Sequence, residues 1–146
     1  MDQRYIENYF PVSEVSGTYR IREISSLHKW WARGSLESSS AVIYSSLISS
    51  SDDNEIKESI IKLAGREGSD ITEIARENIL KTFEIPPKVL DPYAGGGSIP
   101  FEALRLGCET YANDYNPVAV LIEKCLLENP EKMLIEGFLA STQSIK

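Results

Sequence analysis

The sequence predicts an α/β fold: the opening of a doubly wound parallel sheet, its first two strands only, preceded by a mainly helical region. Three observations lead there. Between positions 35 and 82 the apolar residues recur at three- and four-residue spacing, the period of helices with one buried face. At Lys88 that period gives way to a short apolar run ending in an acid and a glycine-rich loop. The chain then reads helix, strand, helix, and strand–loop–helix–strand–helix is how such sheets begin. Residues 1–85 are therefore expected to form the helical region and 86–146 the incomplete sheet domain.

Taken in order, residues 5–15 mix aromatic and acidic side chains around Pro11 and predict an extended arm or short turn. Residues 35–48 space Leu36, Ala41, Val42, Leu47 and Ile48 well enough for a helix, although the segment is rich in serine. Ser49 to Asp53 is a polar break. Ile56, Ile60, Ile61 and Leu63 then give residues 54–64 an amphipathic stripe. Ser69 or Asp70 can cap a further helix, with Glu73 near the capping-box position and Ile71, Ile74, Ala75, Ile79 and Leu80 on its apolar face. Pro86-Pro87 ends that helix. Residues 88–91 and 109–113 are short strands. Gly107 suits the end of the intervening helix, and Pro117 the first turn of the next, which Asn129-Pro130 stops. A last short helix is expected over 131–139. Two strands cannot stand as such a sheet unaided.

A length of 146 residues suffices for one domain with a sizeable core. The hydrophobic share of 42% is ordinary for a globular chain. No apolar run approaches the roughly 20 residues of a bilayer span. Met1-Asp2-Gln3-Arg4 lacks the basic and apolar regions of a signal peptide, so a cytoplasmic location is expected. Cys108 and Cys125 form no C-x-x-C pair, so no zinc or other metal site is read; both thiols are expected to pack as small hydrophobes. The single histidine, His28, is expected to be structural. A net charge of −7 argues against a general nucleic-acid binder. The excess acid lies after position 50; before it, Arg4, Arg20, Arg22, Lys29 and Arg33 are matched by Asp2, Glu7, Glu14, Glu23 and Glu37. If nucleic acid is contacted, this first third is the better candidate; a mixed surface explains it equally.

The feature that carries chemistry is Asp91-Pro92-Tyr93-Ala94-Gly95-Gly96-Gly97, between a strand and a helix, where open α/β sheets place their ligand crevice. The glycines let the backbone turn sharply and approach a ligand, and N–H groups opening the next helix favour a carboxylate or phosphate. No Gly-Lys-Ser/Thr follows, so this is not a P-loop. Pro100 stands where a dinucleotide fingerprint needs its third glycine, and Asp91 would repel a pyrophosphate. An acid beside the glycines suits a ligand with an amino-acid end. The second half is Asn113-Asp114-Tyr115-Asn116-Pro117, roughly 20 residues on, where an acid at the end of the second strand binds ribose hydroxyls. Tyr115 could lie against an adenine face. A plain turn before a helix is the other reading of this segment.

These two segments resemble motifs I and II of amino-methylating, S-adenosylmethionine-dependent methyltransferases. Tyr9-Phe10-Pro11-Val12-Ser13-Glu14-Val15, then Ser26-Leu27-His28-Lys29-Trp30-Trp31-Ala32-Arg33 and the helix after it, resemble the domain of unknown function (DUF1156) that opens a family of large adenine-specific DNA methylases. The resemblance covers roughly residues 5–130, and Trp-Trp-Ala-Arg is its specific part. It implies a Rossmann-like methyltransferase sheet, with S-adenosylmethionine held by Asp91, Pro92, Tyr93, Ala94, Gly95, Gly97, Asp114 and Tyr115, and DNA as the substrate of the complete enzyme. Lys29 and Arg33 are candidates for phosphate contact, with Trp30 or Trp31 lining a cofactor or base pocket; packing of the tryptophans on the sheet is the competing role.

Two departures stand out. Gly34-Ser35 replaces the arginine and proline that commonly follow Trp-Trp-Ala-Arg in the family. No Asp-Pro-Pro-Tyr or Asn-Pro-Pro-Tyr occurs, the motif that holds the target amino group and stacks on a flipped base. No catalytic residue is therefore assigned. The expectation is the cofactor-binding part of an adenine-specific DNA methyltransferase, inactive as this chain by itself: a fragment, a half whose C-terminal partner is separately encoded, or a remnant. A non-catalytic assembly subunit, or a methyltransferase of RNA or protein, is the alternative.

Overall fold

The computed structural model describes residues 3–15, 30, 34–49, 54–65 and 70–128. Along them run α1 (Tyr5–Asn8), α2 (Val12–Val15), α3 (Leu36–Leu47), α4 (Asn54–Gly65), α5 (Ile71–Thr82), β1 (Lys88–Asp91), α6 (Ser98–Arg105), β2 (Glu109–Ala112) and α7 (Pro117–Glu128). The expected helix at 131–139 lies outside the described residues, as do His28, Lys29, Trp31 and Arg33. No helix among them is long and apolar enough to cross a membrane.

Serine decides how α3 can be central. The helix packs against α1, α4, α5 and α6, and Ser39, Ser40 and Ser45 are all buried. A buried hydroxyl without a partner would cost roughly 1–3 kcal/mol. Each instead turns back onto its own helix: Ser39 Oγ donates to Ser35 O at 2.9 Å, Ser40 Oγ to Leu36 O at 3.1 Å and Ser45 Oγ to Val42 O at 3.1 Å. Ser35 caps the start by accepting from the Ser38 N–H at 3.0 Å. Small, self-satisfied side chains let neighbouring helices come close.

Around α3 the core gathers Tyr5, Tyr44, Ile60, Leu63, Ile71, Ala75, Ile79, Ala103, Leu106 and Cys108. The buried Tyr44 hydroxyl accepts from Asn78 Nδ2 at 2.9 Å. On α5 only Ile71, Ala75 and Ile79 are buried, a strict four-residue stripe. Ile74 and Leu80, expected on that face, are 47% and 51% exposed. Of the two expected caps, Asp70 sits at the start of α5 with helical backbone and gives it no side-chain cap, and Ser69 lies outside the described residues.

Of the two readings of the amino-terminal segment, the short turn is the nearer. Residues 5–15 form two single-turn helices rather than an extended arm. Tertiary anchoring makes the difference. Tyr5 N–H donates to Ile48 O at 3.2 Å, and Arg4 Nη1 donates to Leu47 O at 2.6 Å and to Ser49 Oγ at 3.2 Å. The Arg4 guanidinium thus satisfies the carboxyl end of α3, where the helix dipole favours a cation.

β1 and β2 pair in parallel, Lys88 opposite Glu109 through Asp91 opposite Ala112. The crossover is α6, which contacts both strands. It ends in a Schellman motif: Cys108 N–H donates to Ala103 O at 2.9 Å and Gly107 N–H to Leu104 O at 3.0 Å. Gly107 has φ +84°, and a β-carbon there would lie 3.2 Å from Arg76 Cγ. One face of the sheet is covered. On the other, Leu90 is 66% and Tyr111 46% exposed.

Two expectations test this packing. Gly107→Ala should lose about 1–2 kcal/mol of stability by chemical denaturation, the cost of left-handed backbone in an L-residue. The cysteines should separate by reactivity. Cys108 is buried, and burial pushes its thiol up to about 11, whereas Cys125 is exposed on α7 rather than packed as expected. A disulfide reagent at pH 8 should label Cys125 promptly and Cys108 only on unfolding; equal rates would contradict the packing.

Candidate functional site

The parallel pairing of β1 and β2 sets the geometry. Both strands end at the same level, so the residues after Asp91 and after Ala112 emerge side by side. The backbones continue to bond beyond the strands: Asn113 N–H donates to Asp91 O and Ala94 N–H to Asn113 O, each at 3.0 Å. Asp114 then closes the site. Its Oδ2 accepts from the Gly95 N–H at 2.9 Å and its Oδ1 from the Asn116 N–H at 2.8 Å. The carboxylate bridges the glycine loop and the turn into α7, and each oxygen retains a second lone pair. Asn116 caps α7 through Oδ1, accepting from Val118 N–H at 3.0 Å.

Gly95 and Gly97 are both in left-handed backbone, φ +54° and +74°. Each is also crowded. A β-carbon at Gly95 would fall 2.9 Å from Trp30 Nε1, and one at Gly97 would fall 3.3 Å from Leu126 Cδ1. Trp30 therefore lies directly against the loop. Ser98 Oγ donates to Gly34 O at 2.9 Å, a second tie between the amino-terminal region and the loop. At the start of α6, the N–H groups of Ser98 and Ile99 have no acceptor within the helix, and Pro100 has none to offer. The side chains that flank the loops are open: Tyr93 is 84% and Tyr115 100% exposed. Asp91 Oδ1 accepts from the Tyr93 N–H at 3.1 Å. A separate groove lined by Arg4, Phe83, Pro86 and Lys88 lies at the start of β1, at the other end of the strand.

Asp91, Pro92, Tyr93, Ala94, Gly95, Gly97, Asp114 and Tyr115 are thus brought to one end of the sheet, with Trp30 against them. Lys29 and Arg33 lie outside the described residues. Sequence reasoning missed Glu123. It is 4% exposed, its Oε1 has no hydrogen-bond partner among the described residues, and its Cγ lies 3.8 Å from the β-carbon position of Gly97. Desolvation, then the charges of Asp114 and Asp91, push its carboxyl above the ordinary 4.5. The signal was available: Ala119, Glu123 and Leu126 are the buried residues of α7, so an acid occupies the apolar stripe.

Residues 9–69 match the family described as a protein of unknown function (DUF1156), and residues 75–144 match the D12 class N6 adenine-specific DNA methyltransferases. The chain belongs to the DUF1156-type adenine-specific methylases. No curated protein and no solved structure matches it. The boundary between the two matches falls within 69–75, at the start of α5, so the methyltransferase match takes in both strands, the glycine loop and α7. The DUF1156 match contains Trp30, whose indole rests on that loop. Among the described residues no cluster of His, Cys, Asp or Glu is arranged to hold a metal.

Two outcomes follow for this methylase chain. Gly95→Ala should destabilise by more than the roughly 1–2 kcal/mol of left-handed backbone strain, because the new methyl meets the indole. In a Trp30→Ala background the extra cost should vanish; a double-mutant cycle with no coupling would contradict the contact. Glu123 should govern part of the pH dependence of stability. Its folded-state value is raised, so its contribution is full below about 4.5 and is lost as pH rises through that higher value. The melting temperature of Glu123→Gln relative to wild type should therefore climb with pH, and a constant difference would refute the assignment.

Proposed function

We propose that this chain is the cofactor-binding portion of an S-adenosylmethionine-dependent, adenine-specific DNA methyltransferase. The observation that carries the reading is the Asp114 carboxylate, bonded to Gly95 N–H at the carboxyl ends of two parallel strands. That is the position from which an acid takes ribose hydroxyls in open α/β sheets. The family matches support the methyl-transfer chemistry and adenine as target. On this reading residues 1–85 brace the loop through Trp30, and residues 86–146 begin a Rossmann-like sheet.

The residues suit a cationic ligand with an amino-acid end. Asp91 and Asp114 flank the loop, and Glu123 lies behind it with an unpartnered oxygen. In the proposed arrangement Asp114 takes the ribose hydroxyls through its remaining lone pairs. Ser98 and Ile99 N–H groups face a carboxylate, and the exposed ring of Tyr115 covers the adenine. Pro92, Tyr93, Ala94 and Gly97 shape the loop around the ligand, Trp30 lines the pocket beside it, and Lys29 and Arg33 are the candidates for phosphate contact. The methyl group comes with the cofactor's sulfonium, already a strong electrophile. The protein's own contribution is then position, the alignment of an exocyclic adenine nitrogen with that methyl. The 146 residues hold no Asp/Asn-Pro-Pro-Tyr, so in this reading base holding falls to residues outside them. Further strands would add at the edges of the β1–β2 pair, and helices would cover the exposed Leu90 and Tyr111 face.

Calorimetric titration with S-adenosylhomocysteine tests the reading. Asp114→Asn should weaken binding about 10- to 100-fold, since hydrogen bonds to a charged group contribute roughly 1.5–3 kcal/mol. Unchanged affinity in a folded variant would overturn the ribose assignment. A radiolabelled methyl-transfer assay should show no transfer to DNA by the purified chain, and transfer would disprove the absence of base-holding residues.

A further inference from the structure

Glu123 is a charged side chain placed where stability alone gives no reason for it. It is 4% exposed, and among the described residues its Oε1 has no hydrogen-bond partner. An unpaired buried carboxylate is costly, and an apolar residue of similar volume would pack beside Ala119 and Leu126 without that cost. Its location is specific. The side chain lies against Gly97, on the inner side of the glycine loop. Among the described residues the charges that act on it are Asp114 and Asp91, both negative. On the neighbouring α6 the one cation, Arg105, stands at the far end of the helix and is paired with Glu102 at 2.8 Å. Lys124, adjacent on α7, is exposed and projects from a different side of the helix. Three carboxyl groups thus converge on one loop, the buried one without a counterion among the described residues.

We propose that Glu123 is a specificity-determining residue of this site, selecting a ligand that carries net positive charge over its neutral counterpart. The inference rests on the proposed cofactor reading and deepens it. A methyltransferase must hold its sulfonium cofactor and release the thioether that remains after transfer. The two differ by one methyl and one positive charge. A buried carboxyl near the loop senses that charge at short range and in poor solvent, where it is weakly screened. Without ligand, desolvation and its two acidic neighbours hold Glu123 toward its protonated form. In the pH range over which that carboxyl titrates, a cation entering the site stabilises the ionised form, so binding releases a proton. The neutral thioether gives no such release. Loss of the methyl then returns the proton and weakens the hold on the product.

The experiment is calorimetric titration of the purified chain with S-adenosylmethionine and, separately, S-adenosylhomocysteine, in buffers of different ionisation enthalpy, over a pH series rising from 4.5 through the range where the raised carboxyl titrates. In wild type, proton release should accompany the sulfonium ligand and be absent with the thioether. Glu123→Gln should weaken S-adenosylmethionine about tenfold, leave S-adenosylhomocysteine within about twofold and abolish the proton release. Glu123→Asp, which keeps the charge, should retain most of the discrimination. Equal weakening of both ligands by Glu123→Gln assigns the residue a merely structural role and overturns the inference, as does proton release that is the same for both ligands in wild type. The wild-type measurement decides even if Glu123→Gln fails to fold. Binding of both ligands with no Glu123 dependence overturns the inference alone; binding of neither by wild type overturns the cofactor reading and the inference with it.

Discussion

The burial of a serine-rich helix is the constraint on which the rest of the structure depends. α3 contacts four other helices, and its small polar side chains close their hydrogen bonds within the helix. Larger apolar residues would push α4 and α6 outward, and unsatisfied hydroxyls would make the position untenable. Because α6 packs on α3 and crosses between the strands, the sheet inherits its position from this helix. The glycine loop inherits it in turn, since α6 starts at the loop's end.

At the loop the governing forces change from packing to electrostatics. Asp114 joins two segments that have no other side-chain bridge of this strength among the described residues, and it does so by accepting from backbone N–H groups. This fixes the carboxylate while leaving acceptor capacity on each oxygen. Trp30 limits how far the loop can move toward the amino-terminal region, and Leu126 limits it on the side of α7. The site is thus held between the two segments that match different families.

Much of this was legible in the sequence because it rests on local rules. The helices α3 to α7 follow from apolar spacing, the strand ends from the acids and glycines, and the Gly107 turn from the need for left-handed backbone. What could not be read there came from distant partners. Nothing in residues 5–15 announces that Tyr5 will bond Ile48 or that Arg4 will cap α3. Ile74 and Leu80 satisfy helical spacing, yet the neighbours of α5 cover only a narrow stripe. The loop and its two acids could be located from their spacing, whereas Glu123 required attention to an acid within an apolar face. The exposure of Cys125 depends on what covers α7, which residue type does not reveal.

The contact between Trp30 and Gly95 has an optical consequence. Indole emission responds to the polarity and mobility of its immediate surroundings, and here the ring nitrogen sits against the backbone of the loop itself. The chain holds one further tryptophan, Trp31. With that residue changed to phenylalanine, the protein carries a single tryptophan, seated on its candidate site. Occupancy of the loop could then be followed in solution without attaching a dye.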